Sequence, residues 1–212
     1  MTVLPLTLII PTLNEKNNIN KIIKNIKTLK CKEVIIVDGG SKDETCILLK
    51  NYKLINSYAS RGKQLHLGAI NSSEDWLLFL HADTELNNKN ILDIKEFIKN
   101  DLSEKAAYFK LKFNNHQLSS RCIALWANLR TKFIKIPFGD QALLISKKYY
   151  SDIGGFNDIP IMEDLDFIIR ISRKNKLLLK SYVTTSFRNY EINGIIKQSL
   201  KNIMNQIKFF MK

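Results

Sequence analysis

Cysteine is scarce in this sequence, and the few cysteines follow no pairing pattern. Cys31, Cys46 and Cys122 are the only three, and they lie too far apart to match a zinc-ligand spacing. An odd number of widely spaced cysteines also argues against a disulfide framework. Disulfide-poor chains are typical of a reducing compartment, so we expect a cytoplasmic protein.

Long apolar runs and a basic leader are absent as well. No stretch approaches the roughly 18 apolar residues that a membrane-spanning helix needs. The N-terminal residues before the first predicted strand contain no Lys or Arg, so they do not resemble a signal peptide. We therefore expect a soluble protein, attached at most to the inner face of a membrane.

Acidic residues are few compared with basic ones. The chain has 20 Asp or Glu against 33 Lys or Arg, which gives a formal net charge of +13. In residues 167–212 ten Lys or Arg accompany a single acid, Glu191. Such a basic region is typical of proteins that bind phosphate-bearing ligands, nucleic acid or anionic membranes. A composition rich in Lys, Asn and Ile explains the overall excess equally well, and we expect no nucleic-acid partner.

The first part of the chain alternates buried-strand patterns with helical periodicities. Asn14 is placed to cap the first helix, and Ser41 and Glu44 form a capping box before the second. An alternation of strands and helices predicts a parallel sheet with helices on both faces. The strand patterns fall at residues 7–10, 33–37, 54–58 and 76–80.

Beyond residue 83 the alternation becomes less regular, and one strand pattern has a polar face. We predict one α/β domain, residues 1–191, around a mixed, mostly parallel sheet, followed by a basic amphipathic helix, residues 192–212. That helix packs on the domain or on a second copy of the chain, or it lies on an anionic membrane. Further strands are predicted at residues 107–113, 142–145 and 177–184, and further helices at 91–98, 122–133 and 162–174.

The apolar run at residues 76–80 ends abruptly at His81 and Asp83. Open α/β sheets bind ligands at the carboxyl ends of their strands. In an extended backbone these two side chains point to the same side, which suits joint coordination of a divalent cation. Two other interpretations stay open: Asp83 caps the next helix, and His81 only positions a neighbour, because hard cations prefer oxygen.

Asp38, Gly39 and Gly40 follow one predicted strand and precede a helix. The glycines let the backbone approach a ligand closely, and the helix N-terminus offers free N–H groups. Since a carboxylate repels phosphate, this loop is better suited to a base or a ribose. The alternative is a tight turn in which Asp38 is a local cap.

Further charged residues lie near predicted strand or helix ends. Glu163 and Asp164 open a helix, where acids often only complement the helix dipole, but an acid beside a bound phosphate can act as a general base. Arg61, with Gln64 nearby, and Arg188 suit a diphosphate or are solvated surface residues.

Taken together and in this order, these motifs resemble family 2 glycosyltransferases with the GT-A fold. The similarity is greatest to a small bacterial branch labelled radical-SAM/selenodomain-associated transferase 2, and it extends from Thr7 to about Glu191. The matching segments are residues 9–15 (IIPTLNE), 37–43 (VDGGSKD), 80–84 (LHADT), 139–141 (GDQ), 154–156 (GGF) and 162–164 (MED).

The resemblance implies a Rossmann-like GT-A domain that transfers a sugar, with inversion, from a nucleoside-diphosphate sugar to an acceptor hydroxyl. It makes Asp164 the catalytic base, with Glu163 beside it, and Asp83 the ligand of Mg²⁺ or Mn²⁺. The donor-binding residues would be Pro11, Thr12, Glu15, Asp38, Gly39, Arg61, Gln64, His81, Ala82 and Arg188, and the acceptor-binding residues Gly139, Asp140 and Gln141.

One departure from the family pattern concerns the metal. His81 stands where the family's Asp-X-Asp motif has its first acid, so either the metal is bound more weakly or this branch normally uses His-Ala-Asp. A catalytically silent nucleotide-sugar-binding or membrane-associated scaffold protein is the alternative function. A nucleotidyltransferase fits less well, because residues 11–15 are not a glycine-rich, basic phosphate loop. The sugar, the acceptor and any homo-oligomer are not determined by these motifs.

Overall fold

A computed structural model describes residues 3–211. Met1 and Thr2 of the predicted domain and Lys212 of the predicted C-terminal helix lie outside the described residues. The strands are β1 (Leu4–Thr12), β2 (Cys31–Asp38), β3 (Lys53–Asn56), β4 (Trp76–Phe79), β5 (Ala106–Phe113), β6 (Leu143–Ser146) and β7 (Lys176–Thr185). The helices are α1 (Ile19–Leu29), α2 (Thr45–Leu48), α3 (Arg61–Ile70), α4 (Asn88–Lys99), α5 (Leu118–Leu129), α6 (Lys147–Asp152), α7 (Glu163–Arg170), α8 (Arg188–Asn193) and α9 (Ile195–Phe210).

The strands form one mixed sheet in the order β3-β2-β1-β4-β6-β5-β7. The first four strands of the chain are parallel to one another, and so are β5 and β7. β6 runs antiparallel to both of its neighbours. The prediction of a mixed, mostly parallel sheet is therefore confirmed. Because β1 has β2 on one side and β4 on the other, the chain order reverses at β1, where open α/β sheets bind ligands.

Apolar side chains cover both faces of this sheet. Leu6, Leu8 and Ile10 of β1 belong to a cluster on one face, whereas Ile9 belongs to a cluster on the other. Continuous burial along β1 follows from its nearly unbroken apolar sequence, which is typical of a central parallel strand. The polar residues that follow the strands therefore lie at the carboxyl end of the sheet, where the candidate site is.

Two predicted helix starts were wrong. Residues 41–44 form bends, and only the four-residue α2 follows them, without a side-chain cap. The Ser41 hydroxyl instead donates to Asp38, and the Asn14 carboxamide accepts from the Lys42 N–H at 2.8 Å. Asn14 therefore links two loops and does not cap α1. Neither capping pattern formed, because the Asn14 side chain has its partner in a loop distant in sequence and the Ser41 hydroxyl is bound to Asp38, three residues earlier.

Other elements differ from their predictions mainly in extent. The helix predicted at residues 162–174 ends at Arg170, and β5 is mostly buried where a polar face was expected. β5 lies between β6 and β7 in the sheet and α5 packs against it, which the alternation of residues along one strand does not reveal. The sequence patterns also missed α6, and a π-helix, Arg130–Ile134, continues α5.

The C-terminal region begins with α8 and turns at Gly194 into α9. Gly194 has a φ of 77°, a left-handed conformation that separates the two helices. None of the described residues of α9 is buried. Within residues 3–211, no helix is both long and apolar enough to cross a membrane.

Candidate active site

His81 and Asp83 follow β4 in a turn, not in an extended segment. The Thr84 N–H donates to the His81 carbonyl at 3.1 Å and closes this turn. His81 Nδ1 lies 3.4 Å from Asp140 Oδ1, and Asp83 Oδ1 accepts a weak hydrogen bond from the Thr185 hydroxyl at 3.5 Å. The expectation that an extended backbone aligns His81 with Asp83 is therefore wrong. The turn directs His81 to Asp140, one of the predicted acceptor-binding residues.

Burial raises the pKa of the Asp83 carboxyl. The negative charge of Asp140 raises it further, and the charges of His81 and Lys21 oppose the change. A partly buried carboxylate with a raised pKa has lost hydration that a bound cation would replace. This environment fits a metal ligand.

The Gly139–Gln141 segment is a short 3₁₀ turn that faces His81. A Cβ atom on Gly139 would approach the His81 ring to 2.6 Å, so the close contact requires glycine. Desolvation alone would raise the pKa of the half-exposed Asp140, but the hydrogen bond and charge of His81, with Arg61 and Arg130, lower it. Asp140 is therefore held ionised in the open part of the cleft.

Gln141 has a structural role beneath this turn. Its side chain is buried, donates to the Phe109 carbonyl at 2.9 Å and accepts from the Thr131 hydroxyl at 2.7 Å. Its hydrogen bonds tie the turn to β5 and to the π-helix. Of the three predicted acceptor residues, only Gly139 and Asp140 face the cleft.

Asp164 lies in the first turn of α7 and points at the same loop. Its Oδ2 atom accepts from the Gly139 N–H at 2.8 Å, and Oδ1 accepts from the Leu165 N–H at 2.7 Å. Burial raises the pKa of this carboxyl, as does the neighbouring charge of Glu163, and the two N–H donors and His81 oppose the rise. A fixed carboxylate with a raised pKa has the properties of a general base.

Glu163 is buried and pairs with Arg61 at the start of α3. Arg61 Nη1 lies 3.4 Å from Glu163 Oε1, and the Arg61 side chain stays 56% exposed. Burial would lower the pKa of Arg61, but the charges of Glu163, Asp140 and Asp164 raise it. Arg61 thus presents a fully charged guanidinium at the mouth of the acidic cleft.

The carboxyl ends of β1 and β2 form a second group beside this cleft. Asp38 is buried, and its carboxylate accepts from the Thr12 hydroxyl at 2.9 Å and from the Ser41 N–H at 2.7 Å. Gly40 N–H donates to it at 2.9 Å. Partial burial would raise the pKa of Asp38, but these donors lower it. With its oxygens already engaged, Asp38 shapes the loop that the sequence assigns to the nucleotide.

Gln64 links these strand ends to α3. Its buried side chain donates to the carbonyls of Thr12 and Val37 at 2.9 and 2.8 Å. Gln64 lies one helical turn after Arg61, so α3 carries both of these predicted donor-binding residues. The remaining predicted residues here are the buried Pro11, Gly39 and Ala82 and the half-buried Glu15.

Arg188 is the predicted site residue that the structure does not bring into this cluster. It opens α8 with an exposed side chain. Within residues 3–211 its guanidinium has no hydrogen bond or ion pair. A diphosphate role for Arg188 stays a prediction.

Arg130 lies at the cleft, although the sequence patterns did not single it out. Its guanidinium stacks on the Phe138 ring at 3.8 Å, and Nε donates to the Ile136 carbonyl at 2.9 Å. Burial lowers the pKa of Arg130, while Asp164 and Asp140 oppose this effect. In the sequence it is one cation among many, because its stacking partner comes from a later loop.

Tyr108 is a second residue that sequence patterns missed. It lines a cavity of about 30 Å³ together with His81, Gly139 and Asp164. Its hydroxyl is buried and has no hydrogen-bond partner among the described residues. The cavity has room for about one water molecule, so any larger ligand has to occupy the open cleft above it.

The side chains present suit a metal that takes part of its coordination from a ligand. Within the described residues, no group of three or more His, Cys, Asp or Glu is arranged to hold a metal ion. Asp83 and Asp140 nevertheless supply two carboxylates near His81. Mg²⁺ is commonly held by one or two carboxylates together with substrate phosphates, and this donor set fits that arrangement.

Comparison with known protein families identifies the first half of the chain. Residues 7–121, more than half of the chain, match the model of the family described as Glycosyl transferase family 2. An uncharacterized protein of Methanocaldococcus jannaschii is 22% identical over 232 aligned positions, which cover 96% of this chain and 97% of that protein.

Solved structures with the same fold include two described with nucleotide ligands. TarS of S. aureus in complex with UDP-GlcNAc has a TM-score of 0.66 at 18% identity over 86% of this chain. The match spans only 58% of that TarS chain. Glucosyl-3-phosphoglycerate synthase of Mycobacterium tuberculosis, in complex with Mn²⁺, UDP and glucosyl-3-phosphoglycerate, has a TM-score of 0.57 at 16% identity, with 85% and 70% of the two chains covered. The predicted GT-A fold class is confirmed.

Proposed function

Because the chain belongs to glycosyl transferase family 2, we propose that it transfers a sugar from a nucleoside-diphosphate sugar to an acceptor hydroxyl with inversion at C1. The observation that carries this proposal is the environment of Asp164. Its carboxylate is oriented by two backbone N–H groups, has a raised pKa, and faces the cleft opposite the strand ends that the sequence assigns to the donor.

Asp164 is the base of the proposed reaction. The acceptor hydroxyl gives its proton to Asp164 as its oxygen attacks C1 of the sugar. The new C1–O bond forms while the bond between C1 and the diphosphate oxygen breaks, and the nucleoside diphosphate leaves with the electron pair. Attack from the face opposite the leaving group inverts C1. The hydrogen bonds that fix Asp164 reduce the reorganisation needed for this step.

The donor is proposed to bind at the ends of β1 and β2. The loop that Asp38 organises lies there, and Gln64 connects it to the helix that begins at Arg61. Arg61 is charged and largely exposed, which suits contact with a diphosphate. TarS with UDP-GlcNAc and the Mycobacterium tuberculosis synthase with UDP, which have the same fold, support a uridine nucleotide as the first donor to test.

We propose Asp83 as the protein ligand of Mg²⁺ or Mn²⁺, with Asp140 as the nearest second carboxylate. When bound, such a cation neutralises the charge that develops on the diphosphate. The presence of Mn²⁺ in the Mycobacterium tuberculosis synthase supports this choice of metal. Titration calorimetry with Mn²⁺ and a nucleoside diphosphate should show weaker cation binding for Asp83→Asn, independently of turnover.

The experiment begins with a thermal-shift screen of nucleotide sugars, followed by a donor-hydrolysis assay in which water replaces the unknown acceptor. Asp164→Asn should lower turnover by at least about a hundredfold and leave donor affinity nearly unchanged. Asp166→Asn is the matched control on the same helix, because Asp166 binds Arg170 and Asn157 outside the cleft. Full turnover by Asp164→Asn would refute the mechanism. A wild-type protein that binds a donor but never releases its sugar would support the silent binding protein.

A further inference from the structure

The apolar side chains of α9 face solvent along its whole length. In a helix of ordinary monomeric proteins the apolar stripe packs against the core. In α9 only Phe209 packs, against the second apolar cluster, and no residue is fully buried. The exposed apolar residues of this helix, each at least half exposed, include Ile196, Leu200, Ile203, Met204, Ile207 and Phe210.

A second helix exposes apolar side chains in the same way. α5 and the π-helix that continues it expose several large apolar side chains to solvent. Trp126 and Phe133 are both 64% exposed. Large contiguous apolar patches are rare on monomers and mark interaction surfaces. These exposed side chains include Leu118, Leu125, Trp126, Leu129 and Phe133.

α9 and the start of α5 are both connected to α8, which packs on the end of β5. Asn202 of α9 donates to the Tyr190 hydroxyl at 3.1 Å, and the Tyr190 ring packs on Phe113 at the end of β5. Asn115, just before α5, donates to Glu191 at 2.8 Å. We refer to the exposed apolar faces of α5, the π-helix and α9 as the apolar rim.

The charged residues within the two segments of the apolar rim are all basic. Residues 115–139 contain four Lys or Arg and residues 192–211 contain three Lys, and neither segment contains an acid. Lys132 and the three lysines of α9, Lys197, Lys201 and Lys208, are exposed. Apolar and aromatic side chains edged by cations, without acids, are the features of helices that lie in the interface of an anionic bilayer.

We infer that the apolar rim docks on the surface of an anionic phospholipid bilayer. A second copy of the chain is the weaker partner, because self-association through this surface would bring lysines and arginines together with no carboxylate from either segment to pair with them. The lysine ammonium groups meet lipid phosphates, and the apolar side chains enter the acyl boundary.

Vesicle sedimentation of the full chain tests this inference. The protein should bind vesicles of phosphatidylcholine with phosphatidylglycerol, bind phosphatidylcholine alone far more weakly, and dissociate as salt is raised. Binding should also shift Trp126 fluorescence to the blue, because the other tryptophan, Trp76, is already buried. Neither readout requires donor hydrolysis, so a negative result would count against membrane docking and not against the proposed reaction.

Three sets of substitutions locate the contact. Replacing Ile196, Ile203 and Ile207 by Ser, or Leu125 and Phe133 by Ser, should weaken binding about tenfold or more. Changing the three α9 lysines to Gln should cost about fivefold per lysine at low salt. The matched control is Ile47→Ser with Leu92→Ser, which removes equally exposed apolar residues from α2 and α4 and should not change binding.

Three outcomes would overturn the inference. One is failure of the intact protein to bind anionic vesicles at low salt. Another is equal binding by the apolar-rim variants and the control. The third is that the intact protein fails to bind vesicles and instead forms a dimer, measured by light scattering, which the α9 substitutions dissociate. Circular dichroism should show that all variants are folded, because every substituted side chain is largely exposed.

Discussion

Single residues in the cleft differ in their electrostatic environments. Asp164 has a raised pKa because it is buried beside Glu163, whereas Asp140 has a lowered pKa because His81 and two arginines outweigh its desolvation. Two carboxyl groups whose pKa values are driven apart can serve as base and as permanent anion in the same site. Their assignment to these two roles rests on contacts that no local sequence pattern contains.

The raised pKa of Asp164 predicts the acid side of the pH–rate profile. A base must be deprotonated, so turnover should fall as the pH drops through a value above the ordinary carboxyl pKa of 3.8. Glu163→Gln removes the neighbouring charge that raises this pKa, and the acid limb should therefore move to lower pH. Measuring kcat for donor hydrolysis against pH checks this, and an unmoved limb would contradict the assignment of Asp164 as the base.

Tyr108 allows a stability test at the same site. Its buried hydroxyl has no partner among the described residues, so Tyr108→Phe should stabilise the protein by about 1 kcal/mol. Tyr150 is the control, since its buried hydroxyl accepts from the Phe156 N–H at 2.9 Å and contacts His66. Tyr150→Phe should destabilise by about 1 kcal/mol or more. Urea denaturation measures the free energy of unfolding of both variants. Similar destabilisation by the two substitutions would refute the predicted difference between the two hydroxyl groups.

Between elements, hydrogen bonds of a partly buried carboxylate connect the parallel strands in addition to their apolar packing. Glu33 of β2 accepts from the Thr7 hydroxyl of β1 at 2.6 Å and from Lys53 of β3 at 3.0 Å. It also accepts from the Ser73 N–H before β4 at 2.7 Å. One carboxylate thus connects four segments near the amino ends of the strands, away from the cleft.

Glu33 gives a prediction about stability and pH. Partial burial would raise its pKa, but the hydrogen bonds from Thr7, Ser73 and Lys53 lower it from 4.5 to about 2. A depressed carboxyl pKa stabilises the folded state above the unfolded value, and this stability is lost as the pH falls from 4.5 toward 2. Glu33→Gln should therefore destabilise by about 2 to 3 kcal/mol at neutral pH, and the difference from wild type should shrink in acid.

The control for this prediction is Glu44→Gln. Glu44 pairs with Lys16 on the surface, with both side chains more than half exposed, and exposed pairs contribute little. Denaturant titrations of the three proteins across the acid range provide the comparison. If the free energies of unfolding of wild type and Glu33→Gln differ by the same amount down to low pH, the explanation is contradicted.

At the scale of the whole molecule, the continuous sheet and its two apolar clusters form the core, and α9 adds little to either. Among the described residues, Phe209 is the side chain of α9 that packs on an apolar cluster, and two side-chain hydrogen bonds join α9 to α8: Asn202 donates to Tyr190, and Asn193 donates to Gln198. We therefore expect the sheet and its two apolar clusters to supply most of the stability and α9 to supply little of it.

Removal of residues 195–212 tests this separation. The shortened protein should keep its cooperative unfolding, with a midpoint within about 4 °C of the full chain, because no described residue of α9 is buried. Donor hydrolysis without vesicles should persist, and vesicle binding should fall. Thermal circular dichroism is the measurement, and loss of the folded state would show that α9 is part of the core.

The sequence by itself determined the fold class and the family. Periodicity is a local property, so the alternation of strands and helices and the acids at strand ends can be read from neighbouring residues. The motifs at residues 9–15, 37–43 and 80–84 carried the family resemblance, which the comparisons confirm. The site residues as a set stay predictions.

Only the tertiary structure decided which of these residues meet and which are already engaged. It brought His81 to Asp140 and Gly139 to Asp164, enclosed Asp38 in hydrogen bonds, and added Arg130, which no pattern had indicated. It also left the apolar face of α9 in solvent, although the same pattern is compatible with packing. The physical reason is that contacts between distant segments depend on strand order and on competition among polar partners, and neither is encoded in the spacing of residues along one element.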